Sequence, residues 1–268
     1  VRAGRIGKLQ TIECRINENP QSPSLPTAPV PEGLDWNFWL GPTPKVDYRL
    51  SKDGKFTNCH YDIRWWDEYS GGKMTDWGAH HIDISQWALG HDKTGPVKIS
   101  LVGPTKFTPL VPDDFNWNAY FDGEASLPNG YHTATEFHVR LEYAGGAYIA
   151  IHNAYVSEDG KTKFPNGILF TGDEGRIFVN RERLTGRPIE ELTTDERGEL
   201  YQSIIPLYKN KFPGDHMRNF FECVKDRSEP ISDVETHVAT MNSCHLANIA
   251  LMLGRTLEWD PTSERFPH

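Results

Sequence analysis

The chain has 268 residues, of which 37% are hydrophobic and 24% are charged, and its formal net charge is −9. This composition is typical of a globular protein and excludes a fibrous or disordered one. The acidic balance and the lack of a long Lys/Arg run argue against nucleic acid and anionic membranes as partners. No apolar stretch reaches the ~20 residues of a transmembrane helix. The sequence therefore predicts a globular protein that acts on a small molecule.

The four cysteines are widely separated and include no C-x-x-C pair: Cys14, Cys59, Cys223 and Cys244. This spacing predicts buried thiols in a reducing compartment rather than disulfides or a metal site. We therefore expect a cytoplasmic protein. Val1 is not a start methionine, so we expect the sequence to be a fragment or a processed product. An export signal ahead of Val1 would instead place the protein in the periplasm.

The first third of the chain contains one predicted strand and one proline-rich segment. Apolar residues alternate over residues 9–16, which predicts a strand with one buried face. Seven prolines over residues 20–44 predict an extended excursion without helix or central strand. Three large aromatic side chains lie inside it, and they must either dock this segment on the body of the protein or line a pocket. They are Trp36, Phe38 and Trp39.

The rest of the chain predicts an α+β fold. A helix is expected over residues 74–89, a strand over residues 97–102, hairpins over residues 137–151 and 168–179, and helices over residues 216–225 and 234–253. Strands in the centre with helices on either side are typical of an open, mainly antiparallel sheet with flanking helices. These helices are too few to cover both faces of the sheet. We therefore predict a homodimer or homotetramer that associates through the sheet.

The predicted helix over residues 74–89 carries a polar stripe. At 100° per residue, Asp76, His80, Asp83 and Trp87 share one narrow face, while the remaining faces are mostly apolar. We therefore expect a largely buried helix whose two carboxylates and imidazole face a common, water-poor space. Such groups perturb one another's pKa, and a histidine one turn from a carboxylate is suited to proton transfer.

Two other interpretations of this stripe remain open. A buried histidine bonded to one aspartate can simply stabilise a core, although here there are two carboxylates, and Gly72 and Gly78 on either side of Asp76 permit the close approach of a ligand or another backbone. The same side chains could bind a metal ion, but no further residue completes a ligand set, so we predict no metal. His81 points away from the stripe and is expected to serve packing or to lie at the surface. No G-x-S-x-G occurs, which argues against a serine hydrolase.

The segment GGKMTDWGAHHID at residues 71–83 resembles the substrate-domain motif of the Gfo/Idh/MocA oxidoreductases. Residues 5–8, 39–42, 64–65, 216–220 and 254–255 are similar to other parts of that domain. The resemblance implies that His80 is the catalytic acid/base on a substrate hydroxyl and that Asp76 orients and polarises it. It also implies a C-terminal domain like that of glyceraldehyde-3-phosphate dehydrogenase. The implied substrate-binding residues are Asp83, Trp39, Arg64 and Trp77.

Two polar sites outside the motif remain ambiguous. Arg64 precedes the Trp65-Trp66 pair, and it could bind substrate hydroxyls or form an ion pair while packed on aromatic rings. His152 and Asn153 follow the first hairpin, and they could project into the cleft or serve as ordinary polar groups of the sheet.

Members of the Gfo/Idh/MocA family bind a dinucleotide in an N-terminal Rossmann domain and use the lysine of an E-K-P segment. No G-x-G-x-x-G follows a strand in this sequence, and the Gly172-Asp173-Glu174-Gly175 turn is too short for that role. The resemblance therefore implies that residues 1–268 form the C-terminal substrate-binding, catalytic and oligomerisation domain. It also implies that about a third of the parent, the Rossmann domain, is absent. We expect NAD or NADP in the full-length parent, and none bound to this fragment, which is expected to be inactive alone.

The resulting functional prediction is an NAD(P)-dependent oxidoreductase that acts on a sugar, cyclitol or related polyol. Two alternatives stay open. The same residues could serve an NAD-dependent lyase or glycosidase that oxidises its substrate transiently, or the chain could be a non-catalytic sugar-binding or oligomerisation domain.

Overall fold

The computed structural model describes residues 1–209 and 211–267. The helices in this part of the chain are α1 Trp36–Leu40, α2 Gly72–Thr75, α3 Trp77–Leu89, α4 Trp117–Phe121, α5 Arg187–Glu190, α6 Thr194–Ile204, α7 His216–Asp226 and α8 Val234–Leu253, with short 3₁₀ helices at His60–Trp65 and Pro206–Tyr208. The strands are β1 Leu9–Arg15, β2 Lys98–Leu101, β3 Lys106–Phe107, β4 Ala134–Glu136, β5 His138–Glu142, β6 Tyr148–His152, β7 Gly167–Gly172, β8 Arg176–Val179, β9 Leu184–Thr185 and β10 Leu257–Glu258.

Eight of these strands form one open sheet in the order β10-β2-β5-β6-β1-β7-β8-β9. Every neighbouring pair is antiparallel except β1 and β6, which run parallel. Strands β3 and β4 form a separate two-stranded ribbon. The fold is therefore a mixed α+β fold with a mainly antiparallel sheet and flanking helices, which confirms the predicted fold class.

The apolar core lies between one face of this sheet and helices α3 and α8. Period-two alternation sends Ile12 and Cys14 of β1 to this face, and both side chains are fully buried. The Cys14 Sγ lies 3.2 Å from the Ser85 Oγ of α3, so α3 crosses directly over β1. This packing fixes the position of the helix that carries the predicted polar stripe.

The opposite face of the sheet carries a charged network. The Glu158 carboxylate accepts hydrogen bonds from His138, Arg140 and Tyr148 on β5 and β6. Burial opposes ionisation of Glu158, but these three bonds outweigh it and lower its pKa to about 2. Association of two copies through this face remains a prediction, and the face would offer polar as well as apolar contacts.

The prediction that the four cysteines are buried thiols is confirmed, because each of them is a free cysteine with a buried side chain. None of the described helices has both the length and the apolar character needed to cross a membrane.

The structure corrects two sequence-based predictions. The proline-rich segment contains a helix, α1, because residues 32–41 lack proline and the Asp35 carboxylate caps the helix by accepting from the Phe38 N–H at 3.0 Å. The helix predicted over residues 74–89 is two helices, since the backbone departs from helical geometry at Asp76. Sequence patterns also missed α6, although Thr193 and Glu196 form a capping box at its start.

Candidate active-site cleft

The break between α2 and α3 positions the first predicted catalytic residue. Asp76 occupies the N-cap of α3, where an aspartate usually accepts a hydrogen bond from a backbone N–H of the first turn. Its side chain makes no such bond. Instead, the Asp76 Oδ1 accepts from the Arg64 Nε at 3.1 Å, and the Lys73 Nζ lies 3.9 Å from its Oδ2. The carboxylate is therefore directed away from the helix and toward two cations.

Gly72 makes this local geometry possible at the start of α2. Its φ of +63° lies in the left-handed region, and a Cβ there would lie 2.6 Å from the Asn19 Oδ1. The same Asn19 oxygen accepts from the Lys73 N–H at 2.6 Å. The prediction that Gly72 permits a close approach is therefore met by the Asn19 side chain of the same chain and not by a ligand.

A cleft of about 370 Å³ opens over the first turn of α3. Its volume falls within the range of small-molecule sites. Arg64 lines one side, with its guanidinium carbon 4.2 Å from the centre of the Tyr61 ring and its Nη1 donating to the Tyr61 carbonyl at 2.8 Å. The full lining is Tyr61, Arg64, Asp76, Trp77, His80 and Arg181.

His80 lies in this cleft with its side chain exposed to solvent. Among the described residues no carboxylate comes within 4.0 Å of its ring, so Asp76 and His80 share the cleft without forming an ion pair. The Trp77 ring is its aromatic neighbour, with ring centres 6.2 Å apart. The prediction that His80 faces a water-poor space is therefore wrong, because the first turn of α3 faces an open cleft rather than the core.

Arg181 is a cleft residue that sequence reasoning missed. It lies in the loop between β8 and β9, and its guanidinium carbon lies 5.2 Å from the centre of the Trp77 ring. The sequence signal was weak, because a single arginine in a polar turn has the pattern of an ordinary exposed residue. Only the packing of the β8–β9 loop beside α3 brings it to the site.

The structure separates the other half of the predicted stripe from the cleft. Asp83 and Trp87 line a neighbouring cavity of about 340 Å³ formed with Lys93, Lys209 and His216. Burial raises the pKa of the Asp83 carboxyl, which also accepts from the Thr240 Oγ1 at 3.4 Å. The four side chains of the predicted stripe therefore line two different cavities, two side chains in each.

Trp39 is not brought to the cleft. Its ring stacks on Trp36 with ring centres 4.8 Å apart and meets the edge of Tyr69 at 6.4 Å. Of the two roles left open for the aromatic residues of the proline-rich segment, this packing corresponds to docking. Phe38, in contrast, is 85% exposed.

Three other candidate side chains have structural partners. The His81 Nε2 lies 3.0 Å from the Asn166 Oδ1, and burial lowers the pKa of His81 to about 4. His152 is buried on the sheet with its Nε2 3.4 Å from the Glu13 Oε2. The Asn153 amide donates to the Thr135 carbonyl at 3.0 Å. His152 and Asn153 are therefore polar groups of the sheet.

A larger cavity lies elsewhere, beside β2, α4 and the end of α8. It measures about 460 Å³, and its lining includes only Lys106 and Asp113 as charged residues. In the described residues one group has metal-ligand spacing, Glu229, Asp233 and Glu235, but Lys93 lies within 4.0 Å of all three carboxylates. The 460 Å³ cavity has no histidine in its lining, and Glu229 and Asp233 are paired with Lys93 and Lys209, so the cleft at α3 is the better candidate site.

Comparison with solved structures finds chains that are similar at low sequence identity. The chain resembles the WlbA dehydrogenase from Bordetella pertussis, solved in complex with NADH and UDP-GlcNAcA, with 13% identity, a TM-score of 0.48, and coverage of 97% of this chain and 57% of that one. It resembles an aldose-aldose oxidoreductase from Caulobacter crescentus with 15% identity, a TM-score of 0.45, and coverage of 96% and 57%. The chain thus spans less than two thirds of the length of these proteins. None of the curated proteins compared with it matches.

A family model matches residues 19–113, and its description is the C-terminal alpha/beta domain of an oxidoreductase family, Gfo/Idh/MocA. The matched segment contains the proline-rich excursion, Arg64 and the whole of α2 and α3, but it ends before Arg181. The resemblance to the Gfo/Idh/MocA oxidoreductases is thereby confirmed for residues 19–113 of this chain.

Proposed function

We propose that this chain is the substrate-binding and catalytic domain of an NAD(P)-dependent oxidoreductase that acts on a sugar, cyclitol or related polyol. The observation that carries the proposal is the cleft in which Asp76 and His80 lie together on the first turn of α3, beside Arg64 and Trp77. The family match over residues 19–113 supports the same class of reaction.

In this proposal each cleft residue has a distinct role. His80 accepts the proton of the substrate hydroxyl as the carbon that bears it is oxidised, because its ring has no carboxylate partner in the described chain and is open to the cleft. Asp76 fixes Arg64, which in turn is held by the Tyr61 carbonyl. A guanidinium held at two atoms can present its remaining N–H groups to substrate oxygens at little entropic cost.

The described residues do not fit a dinucleotide. A pyrophosphate is bound by a glycine-rich turn between a strand and the N-terminus of a helix, whereas Gly172-Asp173-Glu174-Gly175 forms the tight turn between β7 and β8. In the proposal the hydride acceptor is therefore held by another domain. The chemistry that the described residues supply is substrate binding and proton transfer.

The proposal is tested by following NADH formation with a panel of polyols in the full-length natural protein. Removal of a positioned acid/base typically lowers kcat by ~10²–10⁴-fold, so we expect a loss in this range for His80→Ala. His245→Ala is the matched control, because His245 is also an exposed histidine but lies on α8. Parental turnover by His80→Ala would contradict the proposed role of His80.

The same assay separates the alternative chemistry. If substrate is consumed without net NADH and the product is an elimination or hydrolysis product, the cleft serves transient oxidation in a lyase or glycosidase. If no polyol is bound or converted, the oxidoreductase proposal fails.

A further inference from the structure

The two arginines of the cleft differ in how their charges are balanced. Arg64 forms an ion pair with Asp76 at 3.1 Å. Arg181 has no carboxylate within 4.0 Å of its guanidinium in the described chain, and no hydrogen-bond acceptor is found for its side chain there. Its guanidinium carbon lies 5.2 Å from the centre of the Trp77 ring, so the aromatic ring is a neighbour that does not neutralise its charge.

The charge of the cleft is opposite in sign to that of the whole chain. Its lining contains two arginines and one aspartate, which leaves one positive charge when His80 is neutral. The chain as a whole carries −9. Lys73 adds a second cation next to Asp76, at 3.9 Å, so the single carboxylate has more than enough positive charge without Arg181. The Arg181 charge is therefore available to a ligand.

The loop that carries Arg181 is held by its own hydrogen bonds. The Asn180 Oδ1 accepts from the backbone N–H groups of Glu182 and Arg183 at 2.9 and 2.8 Å. The Asn180 amide also donates to the Asn166 carbonyl at 3.2 Å. These bonds fix the backbone on both sides of Arg181, which keeps its side chain beside the cleft without a charged partner in the described chain.

We propose that the cleft selects a hydroxylated substrate that bears an anionic group, a carboxylate or a phosphate, and that Arg181 binds this group. The inference rests on the proposed function and narrows its substrate class. Both anions offer two oxygens to the paired N–H groups of a guanidinium, which gives a bidentate, charge-assisted contact. The Trp77 ring neighbours both Arg181 and His80, so in this proposal Arg181 binds the anionic group while the reacting hydroxyl lies at His80.

The test compares three ligands with one six-carbon skeleton: glucitol, gluconate and glucitol 6-phosphate. Each is titrated into the ¹⁵N-labelled chain, and binding is followed at the Trp77 indole N–H, which reports on weak binding as well as tight binding. We expect at least one anion to bind ~10-fold or more tightly than glucitol, because a hydrogen-bonded charge pair contributes on that scale. This preference should shrink as salt is added, since Arg181 is exposed.

Arg181→Gln should abolish the preference, and Arg183→Gln is the matched control, because Arg183 lies in the same loop but does not line the cleft. The amide spectrum of each variant establishes that it is folded. A preference for gluconate or for the phosphate identifies which anion the cleft takes. Equal binding of all three ligands, or a preference that persists in Arg181→Gln, overturns this inference but leaves the oxidoreductase proposal standing. Failure of all three ligands to bind overturns the inference and counts against the proposed function as well.

Discussion

Two histidines of this chain, His132 and His80, differ completely in their surroundings. His132 is fully buried, with its Nδ1 3.2 Å from the Asp67 Oδ2 and its Nε2 3.0 Å from the Glu68 Oε2. Burial alone would lower the pKa of His132, but the two carboxylates outweigh it and raise that pKa to about 9. His80 is exposed in the cleft, and no carboxylate of the described chain lies within 4.0 Å of its ring.

The difference shows how one side chain serves two purposes. At His132 both ring nitrogens face carboxylates, so the imidazolium is held charged and cannot exchange a proton with a ligand without breaking a buried ion pair. His80 is exposed in the cleft without a carboxylate partner in the described chain, which is the setting that its proposed role as a proton acceptor requires. A buried and paired histidine therefore contributes to stability, whereas an exposed and unpaired one in a cleft is suited to chemistry.

The largest effect that would sharpen this comparison is expected for His132→Ala. Removing one member of a buried ion pair leaves uncompensated charge, so we expect the free energy of unfolding to fall by about 3–5 kcal/mol. His80→Ala should change it by less than about 0.5 kcal/mol, since an exposed side chain without partners is lost. Urea denaturation of both variants measures the contrast. Similar losses of unfolding free energy for the two variants would show that His132 does not stabilise the fold more than His80.

A smaller effect is expected at the two tryptophans that the sequence predicted to bind substrate. Trp39 is half-buried and stacked on Trp36, so Trp39→Ala should lower the free energy of unfolding by about 2 kcal/mol and leave substrate affinity unchanged. Trp77 lines the cleft, so Trp77→Ala should weaken substrate binding, with a rise in KM. Denaturation midpoints and KM values in the full-length natural protein distinguish a docking role from a substrate-binding role for each tryptophan. A raised KM for Trp39→Ala would place that residue back at the substrate.

A more gradual effect, spread over several pH units, is a pH dependence of stability with opposite signs at two histidines. The pKa of His132 is raised from 6.5 to about 9 in the folded chain, so its stabilisation is complete below pH 6.5 and is lost as the pH rises through 9. The pKa of His81 is lowered to about 4, so stability falls as the pH drops from 6.5 toward 4. Each slope is at most ~1.4 kcal/mol per pH unit.

Stability measured between pH 4 and pH 9 checks both slopes. His132→Gln should flatten the alkaline side and keep the acidic side, because His81 is untouched. An alkaline slope that survives in His132→Gln would show that another group is responsible for it.

Much of the fold could be predicted from local patterns. Alternating apolar residues located β1, β5 and β6, since the period of two is a property of the extended backbone itself. The apolar run without proline located α8, and the glycine that follows it located its end. The spacing of Asp76 and His80 predicted that they share one cleft, which they do although Asp76 lies at the N-cap of α3 rather than inside the helix.

Other features of the site depend on contacts between residues far apart in the chain. Asp76 ends α2 and pairs with Arg64 because the 3₁₀ helix at His60–Trp65 packs beside it, and no local pattern encodes that contact. Arg181 reaches Trp77 only when the β8–β9 loop lies against α3. Asp83 and Trp87 line a separate cavity rather than the cleft.

The sequence by itself determined which side chains share a strand or helix face, since backbone geometry repeats over a few residues. The tertiary structure decided which of these side chains meet and which face water, because those depend on the packing of distant segments.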